Sequence, residues 1–255
     1  TKVRMHYIRC SIFKNIVTQI IPRKLLFEQE ENLRRVYSLF YSGNKFECNI
    51  CNKNLKKFVS TKNNDFLCTN CGSLQRNRRL WELLKNQFLK ENIKILDFSP
   101  SRCLYRKLKK YPNIIYHSTD LSIDFMADYK YDITKLPIKD NIYDLILCYH
   151  ILEHIIDDLS GMNELFRVLK PGGIALVQTP FKDGEIYEDY SIVTEEERLF
   201  HFGQEDHVRI YSVLGLKNRL LNCGFEVKVL ENFDNQTKYN LNPSEKVLVL
   251  KKPLN

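Results

Sequence analysis

From Asn92 onward, short apolar runs alternate with stretches whose apolar residues fall three and four apart. The runs are KILDFS (94–99), IIYHST (114–119), YDLILCYH (143–150), GIALVQTP (173–180), FEVKVLE (225–231) and KVLVLKK (246–252), and the periodic stretches lie around residues 102–111, 159–170 and 212–222. Near-continuous Ile, Leu and Val runs of this length suit strands buried on both faces, and the intervening amphipathic helices are what cover them. Residues 92–255 therefore read as one α/β domain with a mainly parallel sheet. The turn Leu169-Lys170-Pro171-Gly172-Gly173 stops a helix and hands the chain to the next strand.

The first 91 residues follow other rules. Between residues 3 and 21, Val3, Tyr7, Ile8, Ile12, Phe13, Ile16, Val17, Ile20 and Ile21 recur at helical spacing with Lys2, Arg4, Arg9 and Lys14 among them, which predicts an amphipathic helix with basic flanks. Such a helix either packs its apolar stripe on the α/β domain or lies in a membrane interface through residues 1–24. Pro22 breaks it, and a second helical stretch from Leu26 ends at Gly43 as a C-terminal cap, so residues 1–45 form a helical segment. In residues 46–73, Cys48-x2-Cys51 and Cys68-x2-Cys71-Gly72 enclose a polar interval too poor in apolar residues to build a core. Two such knuckles bring four thiolates around one structural Zn²⁺, a ribbon with no ligand position left for catalysis. Residues 74–91 carry Leu74, Leu80, Trp81, Leu84, Phe88 and Leu89 at helical spacing and make a linking helix. Arg76, Arg78 and Arg79 on its first turns oppose the helix dipole, which suits either an acidic partner or plain solvation.

Charge sharpens this division. The chain of 255 residues has a net charge of +8, but residues 1–80 alone hold 16 Lys and Arg against 5 Asp and Glu. A basic N-terminal third attracts phosphate-rich partners or anionic lipid, or serves as a solvated face. The eight cysteines comprise the two knuckles and four scattered residues, a usage unlike a secreted disulfide framework. With no apolar run of bilayer length and no signal-peptide core, a cytoplasmic location is expected, at the inner face of the membrane if the first helix lies on lipid. The sequence opens at Thr1 without an initiator methionine, which leaves room for a longer native N-terminus.

Ligands of open parallel sheets collect outside the carboxyl ends of the strands. Asp97 ends the first strand and Asp120 the second, and a carboxylate there can accept two ribose hydroxyls at once. Together, ILDFSPS, TDL, DITKLP, YDLILCYHILEH and ELFRVLKPGG resemble the class I S-adenosylmethionine-dependent methyltransferases, type 11 branch, over about residues 92–252. The resemblance implies a Rossmann-like sheet and S-adenosylmethionine as cofactor. A narrower group, with a four-cysteine ribbon ahead of such a domain and a later FGQ-D-HVR-Y segment, is matched here by Phe202-Gly203-Gln204-Glu205-Asp206-His207-Val208-Arg209-Ile210-Tyr211. That group resembles methyltransferases associated with surface polysaccharides.

One departure stands out. The family's first loop reads D-x-G-x-G-x-G, whereas this chain has Asp97-Phe98-Ser99-Pro100-Ser101-Arg102-Cys103 and no glycine. Hydroxyls of Ser99 and Ser101, with amides of the following helix, are the expected hold on the methionine carboxylate. Asp97, Asp120, Leu121 and Tyr149 complete the cofactor set, with Asp132 and Ile133 beside the adenine as the resemblance implies. His150 directly follows a central strand, and with His207 it is a candidate base for an acceptor hydroxyl, while His154 reads as a packing or capping histidine. Tyr187, Arg209 and Tyr211 are expected to meet the acceptor, under a lid formed by residues 181–200. The expected function is O-methylation of a saccharide or other small hydroxylated acceptor, lipid-linked if the first helix contacts membrane. The alternatives are an rRNA or tRNA methyltransferase gripping RNA through the basic ribbon, and an inactive binding module held over from the missing glycines.

Overall fold

A computed structural model describes residues 23–61, 65–122, 126–231 and 237–254, the side chains of residues 23–28 excepted. The amphipathic stretch 3–21, and with it the expected membrane contact of residues 1–24, lies outside the described residues. Among the described residues no helix is long and apolar enough to cross a membrane. The chain divides into two compact units, Thr1–Gln75 with Thr237–Asn240, and Arg76–Gln236 with Leu241–Asn255.

In the first unit, helix α1 (Arg23–Leu39) is followed by two short hairpins, β1 (Ser42–Glu47) with β2 (Asn54–Leu55) and β3 (Val59–Ser60) with β4 (Phe66–Leu67). Pairs Glu30–Arg34 at 2.9 Å and Glu31–Arg35 at 3.1 Å run along the helix at the spacing of one turn. The expected cap at Gly43 is not one. The helix stops at Leu39, and Gly43 lies within β1, where a Cβ would stand 2.7 Å from the Cβ of Lys56. Gly43 is required because two backbones meet there. Among the described residues of this unit the buried apolar groups are few: Ile50, Leu55, Phe58 and the inner cysteines Cys48 and Cys68.

The second unit opens with the remainder of helix α2 (Gln75–Leu83), whose last turn widens into a π-turn over Leu84–Phe88. Here the expectation of a solvated or partner-seeking arginine face fails. Arg78 and Arg79 are fully buried, and Arg79 Nη1 donates to Glu82 Oε2 at 2.6 Å within the helix. Ion pairing one turn along the helix offsets part of the desolvation that burial of these charges entails.

Strands β5 (Ile93–Phe98), β6 (Ile114–Thr119), β7 (Tyr143–Tyr149) and β8 (Leu169–Gln178) are parallel, and β11 (Glu226–Leu230) and β12 (Val247–Lys251) complete a six-stranded sheet in the order β11-β12-β8-β7-β5-β6. β12 is antiparallel to both neighbours, so the sheet is mixed at one end. Helices α3 (Arg102–Lys109), α4 (Asp158–Val168) and α6 (Val213–Asn222) connect the strands. Leu96, Ile146, Cys148, Ala175 and Val177 from the sheet meet Met162, Leu165, Leu216 and Leu220 from α4 and α6 in one core. The Lys-Pro-Gly-Gly turn is built into a strand. Tyr143 pairs with Leu169 and Leu145 with Ile174, so four residues bulge opposite Asp144, whose carboxylate takes Lys170 Nζ at 2.7 Å and Lys94 N at 2.8 Å. At the far end of β12, Lys252 Nζ donates to Phe166 O at 2.8 Å, Leu169 O at 2.9 Å and Asn141 Oδ1 at 2.8 Å, closing carbonyls that the end of α4 leaves open.

Candidate active site

Strand order reverses at β5, which has β6 on one side and β7 on the other, and the crevice outside their carboxyl ends is where such a sheet admits a ligand. Ser99, directly after β5, has a left-handed φ of 45°. A glycine would take that conformation without strain; here a serine does, and its hydroxyl reaches Asp120 Oδ1 at 2.5 Å. Ser122 Oγ donates to Asp120 Oδ2 at 2.7 Å. A buried carboxylate thus receives two hydroxyls, one on each oxygen, the pattern that vicinal ribose hydroxyls would offer in their place. Ser101 is the N-cap residue of α3, but its side chain makes no capping bond and lies 3.4 Å from Cys103 Sγ. Leu121, next in the chain to Asp120, is exposed.

Asp97 is buried under this corner. Tyr116 Oη donates to its Oδ2 at 2.8 Å, and burial, opposed by that hydrogen bond, pushes its carboxyl up to about 7. Asp132 closes its own turn by accepting Thr134 N and Oγ1 on Oδ1, both at 2.8 Å, which leaves Oδ2 for a ligand. Ile133 is a core residue packed near Gly161. Tyr149 ends β7, with burial and the neighbouring Glu245 carboxylate raising the pKa of its hydroxyl.

Beyond β7 the chain turns sharply at His150, whose φ is 56° and whose amide donates to Gln178 O at 2.8 Å. Leu152–His154 form a single 3₁₀ turn. Glu153 is 1% exposed, its Oε1 lies 3.3 Å from His150 Nδ1, and neither oxygen takes a well-formed hydrogen bond among the described residues. Burial alone would raise its pKa, but His150 and the charge of His154 hold it below the ordinary glutamate value. His207 is buried across from it, with its ring 4.7 Å from that of His154, and Val208 N donates to Glu153 O at 2.9 Å. Burial and the charge of His154 lower the His207 pKa, which keeps its imidazole neutral near pH 7.

Residues 77–177 match the family of methyltransferase domains designated type 11. Those residues, less than half of the chain, resemble a methyltransferase domain of that type. An uncharacterized protein of Methanocaldococcus jannaschii is 34% identical over 121 residues, which are 43% of this chain and 52% of that protein, so the chain spans about half the length of this relative. A Mycolicibacterium smegmatis protein named as a probable S-adenosylmethionine-dependent methyltransferase is 39% identical over 49 residues, 19% of each chain. Among solved structures, the 4+2 cyclase SpnF superposes with a TM-score of 0.51 at 18% identity, covering 72% of this chain and 84% of that one. That likeness concerns the fold alone.

Within the matched residues, Asp97, Ser99, Ser101, Asp120, Leu121, Tyr149 and His150 all come to the carboxyl edge of the sheet, as their positions at strand ends require. Two residues expected to meet the acceptor do not face it. Arg209, fully buried in β10 (Arg209–Ile210), donates to Ile155 O, to Leu152 O at 3.3 Å, to Ile156 O at 2.8 Å and to Glu188 Oε2 at 2.9 Å. Tyr211, equally buried, donates to Asp158 Oδ2, and Arg219 joins Asp158 to Glu188. These groups clamp the loop after β7 to β9 (Tyr187–Glu188), and the guanidinium of Arg209 is turned to that task. Tyr187 is exposed, its hydroxyl 2.7 Å from His201 Nδ1. The glutamates of the expected lid open helix α5 (Glu195–Phe202), where Thr194 and Glu197 form a capping box, so their charge answers the helix dipole.

Sequence reasoning missed Ser122, Glu153 and the Asp158–Arg219 pair. For Glu153 a signal was present in the adjacency Glu153-His154 directly after a strand end.

In the first unit, Cys48 Sγ and Cys71 Sγ are 3.6 Å apart and Cys51 Sγ and Cys68 Sγ 3.8 Å, with all four sulfurs mutually close. Four thiolates at about 2.3 Å from one zinc stand about 3.8 Å from each other, so the set fits a tetrahedral ion. The two knuckles repeat one turn: Asn52 N donates to Cys48 O at 2.7 Å and Gly72 N to Cys68 O at 2.9 Å, with left-handed φ values of 56° and 76°.

Proposed function

We propose that the chain is an S-adenosylmethionine-dependent O-methyltransferase acting on a saccharide or other small hydroxylated acceptor, with a structural Zn²⁺ in its four-cysteine ribbon. The observation that carries this reading is Asp120, buried at a strand end inside a methyltransferase domain with a hydroxyl on each carboxylate oxygen. When bound, S-adenosylmethionine supplies a methyl group on a positively charged sulfur. Asp120 would hold the ribose, Oδ2 of Asp132 and Leu121 the adenine side, and Ser99, Ser101 and the first amides of α3 the methionine carboxylate. Asp97 and Tyr149 would shape the floor. Displacement at a methyl carbon depends chiefly on alignment, so most of the protein's task is positioning. A hydroxyl acceptor must also lose its proton, and the neutral imidazole of His207 can take it, with His150 directly after β7 and exposed Tyr187 as the groups that would meet the acceptor.

The localisation in keeping with this reading is cytoplasmic, at the membrane face if the acceptor is lipid-linked. RNA is the competing acceptor, favoured by the basic N-terminal third. The deciding experiment transfers radiolabelled methyl from S-adenosylmethionine to nucleotide sugars, to glycolipid and to structured RNA. Label in the first two supports the proposal, and label in RNA alone replaces it. Cobalt substitution should give thiolate charge-transfer absorption that Cys68→Ser removes; its absence in the intact chain refutes the ribbon metal.

A further inference from the structure

Besides the four cysteines, one other set of ligand-bearing side chains among the described residues converges closely enough to hold an ion: Glu153, His154 and His207, each offering one atom within 4.8 Å of the others. Two come from the 3₁₀ turn after β7 and one from the loop before β10, and Val208 N, donating to Glu153 O at 2.9 Å, fixes the two loops together. The carboxylate of Glu153 is nine-tenths buried and more, and neither of its oxygens has a well-formed hydrogen bond among the described residues. A carboxylate in that state is costly unless a cation completes it. His150 Nδ1, 3.3 Å from Glu153 Oε1, orients that carboxylate, while its own Nε2 is buried without a partner. Asp206 Oδ2 lies 3.1 Å from His154 Nδ1, the carboxylate–imidazole support that metal-binding histidines commonly carry.

We propose that Glu153, His154 and His207 bind one divalent first-row cation of the manganese, iron, cobalt or zinc type, separate from the ribbon metal. Two imidazoles and one carboxylate suit those ions better than Mg²⁺ or Ca²⁺, which favour all-oxygen sites. Three protein ligands leave coordination positions open, and the cluster begins where β7 ends, at the edge that carries Asp97 and Asp120. The ion's role, which rests on the reading of that edge as a methyl-transfer site, is to grip the acceptor's oxygens and ease loss of the hydroxyl proton. His207 then acts as a ligand, and the proton leaves to solvent or to His150.

The test uses the full chain with its ribbon loaded with zinc and Mn²⁺ as probe, since manganese competes poorly for thiolates. Electron paramagnetic resonance of free Mn²⁺ should reveal one bound ion per chain, with affinity lowered at least tenfold by His154→Ala and by Glu153→Gln and unchanged by Tyr187→Phe. His154 is partly exposed, so its variant should fold even if the buried Glu153 variant does not; thermal shift with S-adenosylhomocysteine checks that the domain is intact. Failure of Mn²⁺ and Co²⁺ to bind beyond the ribbon, or equal binding by the folded His154 variant, overturns the proposal. Metal binding without any S-adenosylhomocysteine binding would instead sink the methyl-transfer reading and leave the metal site standing.

Discussion

Two buried polar networks flank the end of β7, and they are made from different partners. At the β5–β6 corner, Asp120 is satisfied by the hydroxyls of Ser99 and Ser122, short side chains that rotate away when something better arrives. At β9–β10, Arg209 is satisfied largely by main-chain carbonyls of Leu152, Ile155 and Ile156, which cannot move without unfolding the turn that bears Glu153. A network closed by hydroxyls can exchange partners with a ligand; one closed by backbone is architecture. Burial and charge alone do not tell the two apart. What distinguishes a site from a clamp is whether its partners can leave.

Breaking the clamp should have the largest effect. Arg209→Met leaves Glu188 short of a partner and three carbonyls open, and a loss of about 3–5 kcal/mol in urea unfolding is expected. A loss below 1 kcal/mol would mean that the clamp is not structural. Next comes Asp97, which belongs to neither network. Because its folded pKa, about 7, lies above the ordinary aspartate value, the folded protein holds a proton that the unfolded chain releases. Its contribution is full below about pH 4 and is lost as pH rises toward 7. Thermal melts from pH 4.5 to 7.5 should therefore fall more steeply in the native protein than in Asp97→Asn, and parallel profiles would remove the effect. Asp120→Ala tests the exchangeable corner, with S-adenosylhomocysteine binding weakened by roughly 1.5–3 kcal/mol while urea stability changes little. The smallest change sharpens the contrast most. Ser99→Gly relieves a left-handed serine and frees one oxygen of Asp120 but removes a hydroxyl assigned to the methionine carboxylate, so calorimetry should find cofactor affinity lowered by no more than a few-fold, with stability within about 1 kcal/mol of the native protein.

The same contrast accounts for what the sequence disclosed. The sheet strands were legible because apolar runs record burial locally, and the cysteine knuckles because each pair closes a single turn. Asp97 and Asp120 were found from their positions at strand ends, which fix the edge they occupy. Arg209 and Tyr211 misled because Asp-His-x-Arg-x-Tyr has the composition of a site, whereas most of their partners lie more than fifty residues back and include carbonyls that every residue carries. Arg78 and Arg79 misled for a related reason, since charge near a helix start gives no sign that the fold will bury it. His154 reads from the sequence as a packing or capping histidine and Glu153 carries no role there, because the turn that holds them is a single 3₁₀ turn and His207 joins them only through tertiary structure.

Lys252 ties the final strand to the last carbonyls of α4, so these two elements, some eighty residues apart in the chain, constitute a single cooperative unit. Hydrogen exchange should find the amides of 158–168 and of 247–251 opening together, and Lys252→Met should release both at once while the exchange of β5 and β6 stays unchanged.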